Sequence, residues 1–420
     1  MTTFSRRRFL AASAASAGAV LTTPLGARVA FASPDNPAEG DSIVVIDLRG
    51  GADGLSIAPP YTDNSYYSAR PTTAVRRPGE EGGALPLTSA SSPNAIFPTG
   101  MDGVLGLHPT LWPIYETLWK NGNLAVIPAV GAGFIGTRSH FSAEWLIERG
   151  TANSSVPGSF MGRMINEMNP TGAVGGLNAR SNFIFGAQNL VTVNSLSRFK
   201  IQGYTNEQKP KVESVLAKMY SGNDSLSATG VKALEAFEAV GRVKVPKATN
   251  PRTNKGFKNT GMTSGLMEVA GMLNAKVGLR AAAVDFHGWD HHVKLNNIGG
   301  RIGELGLALR AFADATNQME EVTVIVLTEF GRNVAQNGGG GTDHGKGATH
   351  LVMGKGIQGG VFGNDFPTNI VKEAHRRAVP VLTDYRQIIN EIAVKRAGIA
   401  DPGKVFPGFG NTEHLGLARA

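Results

Sequence analysis

The sequence has no cysteine in 420 residues. That absence excludes a disulfide framework, a thiolate-bound zinc and a cysteine nucleophile, so any metal must be held by His, Asp or Glu. Long apolar runs are missing as well: past the N-terminal segment, no stretch reaches the roughly 18 apolar residues that a membrane helix needs. Hydrophobic residues at 41% and charged residues at 18% describe a folded globular chain rather than a disordered one. Glycine is abundant at 54 residues but scattered, which excludes a collagen-like repeat and points to tight turns and long loops.

What is present begins with charge. The chain carries a formal +8, which at face value suggests nucleic acid or an acidic surface as a partner. The first 32 residues change that reading. Ser5-Arg6-Arg7-Arg8-Phe9-Leu10 precedes a small-residue, mildly apolar run from Ala11 to Leu21, and Ala30-Phe31-Ala32 then stands before Ser33-Pro34. This is the order of a secretory signal with an A-x-A cleavage site, and the arginine pair resembles the bacterial twin-arginine type, which exports folded proteins. Cutting after Ala32 removes Arg6, Arg7, Arg8 and Arg28 from 41 basic residues, leaving 37 against 33 acidic ones, a formal +4. The expected mature protein is periplasmic, cell-surface or secreted, with no membrane span and no nucleic-acid partner, because no recognition motif accompanies the charge.

After a flexible leader at 33–41, five short, continuously apolar runs read as buried strands: 42–48, 124–130, 278–286, 322–327 and 349–353. Pro128 weakens the second. Helical spacing falls between them, at 110–120, 141–149, 296–313 and a segment from Thr383-Asp384 to Arg396. Alternating strand and helix predicts an α/β class with a mostly parallel sheet flanked by helices. Residues 151–275, polar at first and basic later, read as a cap or excursion inserted into a single domain spanning 42–420.

Six of the nine histidines follow strands: His140 after the second, His287, His291 and His292 after the third, and His344 and His350 beyond the fourth. Ligands of open α/β sheets sit outside the carboxyl ends of the strands. Asp47, Asp53, Asp285, Asp290, Glu329 and Asp343 share those loops, a set suited to zinc, manganese or calcium. Two readings stay open for Asp53, as a ligand or as the cap of a following helix. The same holds for Thr137 and Ser139, each either an N-cap or a nucleophile at a helix N-terminus beside the anion-binding fork of Arg138.

The strings Leu48-Arg49-Gly50-Gly51-Ala52-Asp53-Gly54-Leu55, Leu107-His108-Pro109, Arg138-Ser139-His140-Phe141, Gly288-Trp289-Asp290, Thr328-Glu329-Phe330-Gly331-Arg332, Gly341-Thr342-Asp343-His344-Gly345 and Thr383-Asp384-Tyr385-Arg386 together resemble the domain of unknown function 1501 family. That group is similar to the alkaline phosphatase and sulfatase superfamily, so the resemblance implies a metal-dependent α/β core. It further implies metal ligands at Asp53 (or Asp47), Asp290, His292, Asp343 and His344, with Glu329 as a further acidic ligand and a hydroxyl at Thr137 or Ser139. Arg138 and Arg332 would face substrate oxygens. Where the family usually has Trp-Asp-Thr-His, this chain has Trp289-Asp290-His291-His292, which leaves either imidazole open as the ligand. The sulfatase pattern of Cys or Ser followed by x-Pro-Ser-Arg is absent, which argues against formylglycine chemistry.

The expected function is hydrolysis of a small phosphate or sulfate ester with zinc or manganese, calcium being the third choice, and Ser139 or Thr137 as nucleophile. The alternative is a non-catalytic exported binding or assembly protein for an anionic glycan at the cell surface.

Overall fold

The structure is a computed structural model. It describes residues 27–31, 40–168, 174–177, 183–187, 190–193, 196, 205, 207–253, 255–256, 261–364, 366–375, 377–411 and 413–419. The arginine pair, the apolar run of the expected signal and most of the expected leader lie outside the described residues.

The strands in chain order are β1 (Ala27–Phe31), β2 (Ser42–Arg49), β3 (Leu85–Pro86), β4 (Gly106–Leu107), β5 (Leu124–Gly131), β6 (Val174–Leu177), β7 (Leu190–Val193), β8 (Leu279–His287), β9 (Val322–Leu327), β10 (Ala348–Met353), β11 (Gly360–Val361) and β12 (Thr383–Asp384). Eight of them form one sheet in the order β1-β8-β2-β9-β10-β5-β11, with β12 also pairing to β5, while β3-β4 and β6-β7 are separate ribbons. β2 lies parallel between β8 and β9, and β11 and β12 run parallel to β5. Within this sheet, among the described residues, β1 and β10 run antiparallel to their neighbours. Every residue of β2 from Ser42 to Leu48 is buried, so both of its faces are covered, as its unbroken apolar run implies.

Two departures from the expected sheet have local causes. The run at 349–353 is antiparallel to both neighbours, so β10 begins at the edge where β2, β5, β8 and β9 end. Pro128 sits inside β5 without breaking it, because the register slips between Ala348 and His350 and Ala129 adopts a positive φ of 54°. A bulge leaves a residue unpaired, which a proline without an N–H requires.

Helices cover the sheet. The Ile298–Ala315 helix buries Ile298, Ile302, Leu305, Leu309 and Phe312 on one face and packs on the Gly261–Asn274 helix, which itself lies against β8. The closing helix of the stretch 151–275 thus belongs to the core. Each buried aliphatic side chain of this kind contributes about 1.5–3 kcal/mol. The Tyr385–Lys395 helix is capped by Asp384, whose carboxylate accepts the Arg386 N–H, as Thr383-Asp384 led one to expect.

Candidate metal centre

The parallel strands deliver their following loops to one edge, and the reversed β10 brings its preceding loop there too. His140 opens the His140–Arg149 helix after β5; Asp290 and His292 lie in the loop after β8; Glu329 and Arg332 follow β9; Asp343 and His344 precede β10. The loops interlock through their backbones. Gly331 N–H donates to Lys346 O, Gly345 N–H to Gly331 O and Asn333 N–H to Asp343 O, at 2.8–2.9 Å. A side chain at Gly331 would place its Cβ 1.7 Å from Gly347 O, so that close approach requires glycine. Gly50, at a φ of 123°, lets the β2 loop pass against the backbone of Trp289 and Asp290 in the same way.

His140, Asp290 and His344 each offer a ligand atom within 4.8 Å of the others'. His140 Nδ1 donates to Glu329 Oε1 at 2.7 Å, and His344 Nδ1 donates to the Arg138 carbonyl at 2.7 Å. Those partners leave the lone pair of each neutral ring on Nε2, the form a metal needs. His140 Nε2 is buried without a hydrogen-bond partner and lies 3.4 Å from Asp290 Oδ2. His292 joins the cluster, with Nε2 at 3.1 Å from Asp290 Oδ1 and 2.8 Å from His344 Nε2. His291 instead turns to the Trp289 carbonyl at 3.1 Å. Of the two imidazoles, the geometry brings His292 to the cluster. A buried acceptor with no donor and imidazole nitrogens facing a carboxylate are what a divalent cation would satisfy, so the donor set fits one.

Electrostatics follow from these contacts. The hydrogen bond to Glu329 raises His140 above the usual imidazole value against the opposing effect of burial. Burial lowers His344, and the charges of Arg332, His140 and His292 add to that, against the Arg138 carbonyl. Burial alone would raise Asp290, but the hydrogen bond and charge of Arg332, with His292 and His140, hold it below the usual carboxylate range.

The other expected site residues stand behind or beside this cluster. Glu329 is buried; its Oε1 also accepts the Gly50 N–H and its Oε2 the Thr328 hydroxyl. Arg332 is 1% exposed and is spent on the carbonyls of Gly50, Gly51 and Thr342 and on Asp290 Oδ1 at 2.6 Å. It braces the loops through four of its five N–H groups. Asp343 accepts from Asn337 at 3.0 Å and lies 3.4 Å from His292 Nδ1, and the Asn337 bond holds it low. Asp53 is apart: its carboxylate caps the Gly54–Ile57 helix, takes both terminal nitrogens of Arg70 at 2.8 and 2.9 Å and accepts from Thr342. Thr137 Oγ1 accepts the Ser139 N–H, whereas Ser139, the N-cap of the His140–Arg149 helix, makes no side-chain capping bond. Arg138 and Ser139 are exposed.

His140 is the residue that sequence reading left out of the ligand set. Its signal is helical spacing: His140, Glu144 and Glu148 fall at successive turns of one face, and Glu144 and Glu148 turn inward to Arg49. Asp47 and Asp285, facing each other across β2 and β8, approach the same guanidinium at 3.5 and 3.6 Å.

Three exposed cations flank the cluster residues in sequence. Arg138, Lys294 and Lys346 each stand two residues from one of the three histidines, all are exposed, and among the described residues none has a carboxylate within salt-bridge distance. Two cavities lie elsewhere. A groove of about 950 Å³ runs between Trp112, Arg252 and the Gly299–Leu307 face of a helix, and a smaller one of about 190 Å³ adjoins Trp145 and Phe185.

The family model described as Protein of unknown function (DUF1501) matches residues 40–381. No curated protein matches the chain. Among solved structures, it is similar to the crystal structure of Ps i-CgsB in complex with k-i-k-neocarrahexaose, at 11% identity and a TM-score of 0.33, over 90% of this chain and 78% of that one. The crystal structure of Ps i-CgsB alone gives 12% identity and a TM-score of 0.32, over 88% and 75%.

Proposed function

The chain belongs to the DUF1501 family, and we propose that it is an exported, metal-dependent hydrolase of phosphate or sulfate esters. One observation carries the reading: His140, Asp290 and His344 converge within 4.8 Å, with both Nδ1 atoms anchored outward and His140 Nε2 left without a partner. His140, Asp290, His292 and His344 would hold zinc or manganese, whose Lewis acidity lowers the pKa of a nearby hydroxyl and offsets charge on the ester.

The chain's own groups supply the rest. Ser139 is the better nucleophile of the two hydroxyls, because Thr137 Oγ1 is engaged by a backbone N–H while Ser139 makes no side-chain capping bond at the start of a ten-residue helix. Free N–H groups at that helix start favour an incoming anion. Arg138, Lys294 and Lys346 would draw and orient the ester's non-bridging oxygens. Arg332 and Glu329 act as positioning residues, the first on Asp290 and the second on His140. The arginine pair and cleavage site at the N-terminus support export; cutting after Ala32 would remove β1 from the end of the sheet and leave β8 as its edge, and among the described residues no helix is long and apolar enough to cross a membrane.

The test is turnover of p-nitrophenyl phosphate, bis-p-nitrophenyl phosphate and p-nitrophenyl sulfate with added zinc, manganese or calcium. At least one ester is expected to be hydrolysed by the native chain and not by His344→Ala. Metal-loaded protein that turns over none of them would overturn hydrolysis and leave the binding of an anionic glycan as the role of the site.

A further inference from the structure

The His140–Arg149 helix has two different faces. Inward it presents His140 to the metal centre and Glu144 and Glu148 to Arg49. Outward it presents Phe141, 86% exposed, and Trp145, 44% exposed. These two rings stand one turn apart, about 6 Å along the helix axis. Phe185, 61% exposed, continues the row, and between Trp145 and Phe185 lies the 190 Å³ cavity that Glu148 and Arg149 also line. The Arg149 guanidinium lies 4.5 Å over the Trp145 ring, and its Nε is buried with no hydrogen-bond partner.

We propose that Phe141, Trp145 and Phe185 form a binding surface for the sugar rings of an anionic polysaccharide that runs out of the metal centre. The proposal rests on the ester-hydrolase reading for its direction and names the substrate class of that site. Continuity supports it: Phe141 directly follows His140 at the first turn of the helix, so the aromatic row begins one residue from the cluster. Charge supports it too: Arg138 is exposed three residues before Phe141 and the Arg149 guanidinium lies over the Trp145 ring, cations that a sulfated or phosphorylated chain would meet along the row.

The size of the patch argues against a protein partner. Exposed fractions of three rings of about 150–250 Å² each sum to about 400 Å², well short of the about 800 Å² per side of a stable interface. A pyranose ring instead offers an apolar face to stack on an indole or phenyl ring, and the cavity between Trp145 and Phe185 has room for about one such ring. The rise of one helical turn is close to the length of a hexose unit.

The test uses the full chain and reads binding separately from turnover. Dextran sulfate, neutral dextran and poly-glutamate are titrated by calorimetry, and p-nitrophenyl ester hydrolysis is measured in parallel. Dextran sulfate should bind, Trp145→Ala and Phe141→Ala should weaken it at least tenfold, and Trp145→Phe should restore most of the loss. Small-ester turnover should stay within about twofold in all three variants. Dextran sulfate binding that depends on Trp145 in a protein that hydrolyses no ester would sink the hydrolase reading and uphold the surface. Equal affinity of the native chain for poly-glutamate and dextran sulfate, or no effect of either alanine variant, would overturn the surface whatever the enzyme does.

Discussion

His140 donates Nδ1–H to the buried carboxylate of Glu329 at 2.7 Å, and its opposite nitrogen, Nε2, faces Asp290 with no donor of its own. The two residues are 189 positions apart and meet because β9 and β5 end at the same edge of the sheet. A carboxylate behind a histidine fixes the ring and raises its basicity as a ligand, and loss of such a partner typically costs 10–100-fold in metal affinity. Glu329→Gln is therefore expected to loosen zinc by 10–100-fold, read by competition with a chromophoric chelator, while the far-ultraviolet circular dichroism is unchanged. Unaltered affinity would remove Glu329 from the account.

Arg332 satisfies three backbone carbonyls and Asp290 from a fully enclosed position. Asp290 is half exposed, but removing the guanidinium leaves the carbonyls of Gly50, Gly51 and Thr342 without this donor, at a cost of about 1–3 kcal/mol for a buried polar group left unsatisfied. Urea denaturation of Arg332→Met should show a loss of that order. A loss under about 1 kcal/mol would mean that the loops hold together without the guanidinium, since that is the scale of an exposed pair.

Asp47 makes no hydrogen bond and shares Arg49 with Asp285, Glu144 and Glu148. Burial holds its carboxyl well above the usual range; Arg49 opposes this, and Glu329, Asp285 and Glu144 add to the rise. The unfolded chain loses this proton near pH ~4, whereas the folded one keeps it to higher pH, so this group's contribution to stability falls as pH rises. Asp47→Asn removes the dependence. Calorimetric Tm values should favour the variant increasingly from pH 5 to pH 8, and a pH-independent difference would refute the assignment.

Burial lowers His108 to about 4. Its neutral ring accepts the Thr110 N–H and caps the short helix that begins at Pro109. An unfolded histidine protonates near pH ~6.5, so the stability this ring contributes is present above that pH and is lost as pH falls through 4. His108→Asn retains an acceptor for the Thr110 N–H and should flatten the decline of Tm between those values. An equal decline in both proteins would assign the acid sensitivity to other groups.

Ser139→Ala should reduce ester turnover by at least 10³-fold with metal still bound, whereas Thr137→Ala should retain activity within about tenfold, nucleophile loss being the larger effect by orders of magnitude. The reverse ranking, read from single-turnover rates, would transfer the role to Thr137.

The strands were legible because each is a short unbroken apolar run, and the edge that gathers the site follows from their parallel order. The direction of β10 was not legible. A buried six-residue strand has the same composition whichever way it runs, and only its pairing with β5 and β9 reveals it. At the site, Asp290, His292 and His344 were readable as metal-ligand types in strand-end loops. Asp53 does cap the helix that follows it, one of its two open readings, but its pairing with Arg70 was not legible, nor were the roles of Glu329 and Arg332, since each is decided by a distant partner: His140 for Glu329, and the carbonyls of Gly50 and Gly51 for Arg332. His140 was hidden by its neighbour, because a serine before a helix attracts the nucleophile reading and the histidine after it looks incidental.

The account stands on the capacity of His140, Asp290 and His344 to hold a cation. The direct measurement is metal content after equilibrium dialysis of the native chain, His140→Ala and His344→Ala against zinc and, separately, manganese. The native chain is expected to retain about one equivalent of one of these metals, the stoichiometry of a single site, and both variants to retain essentially none. Native protein that binds neither metal, or variants that bind as much as the native chain, would contradict it.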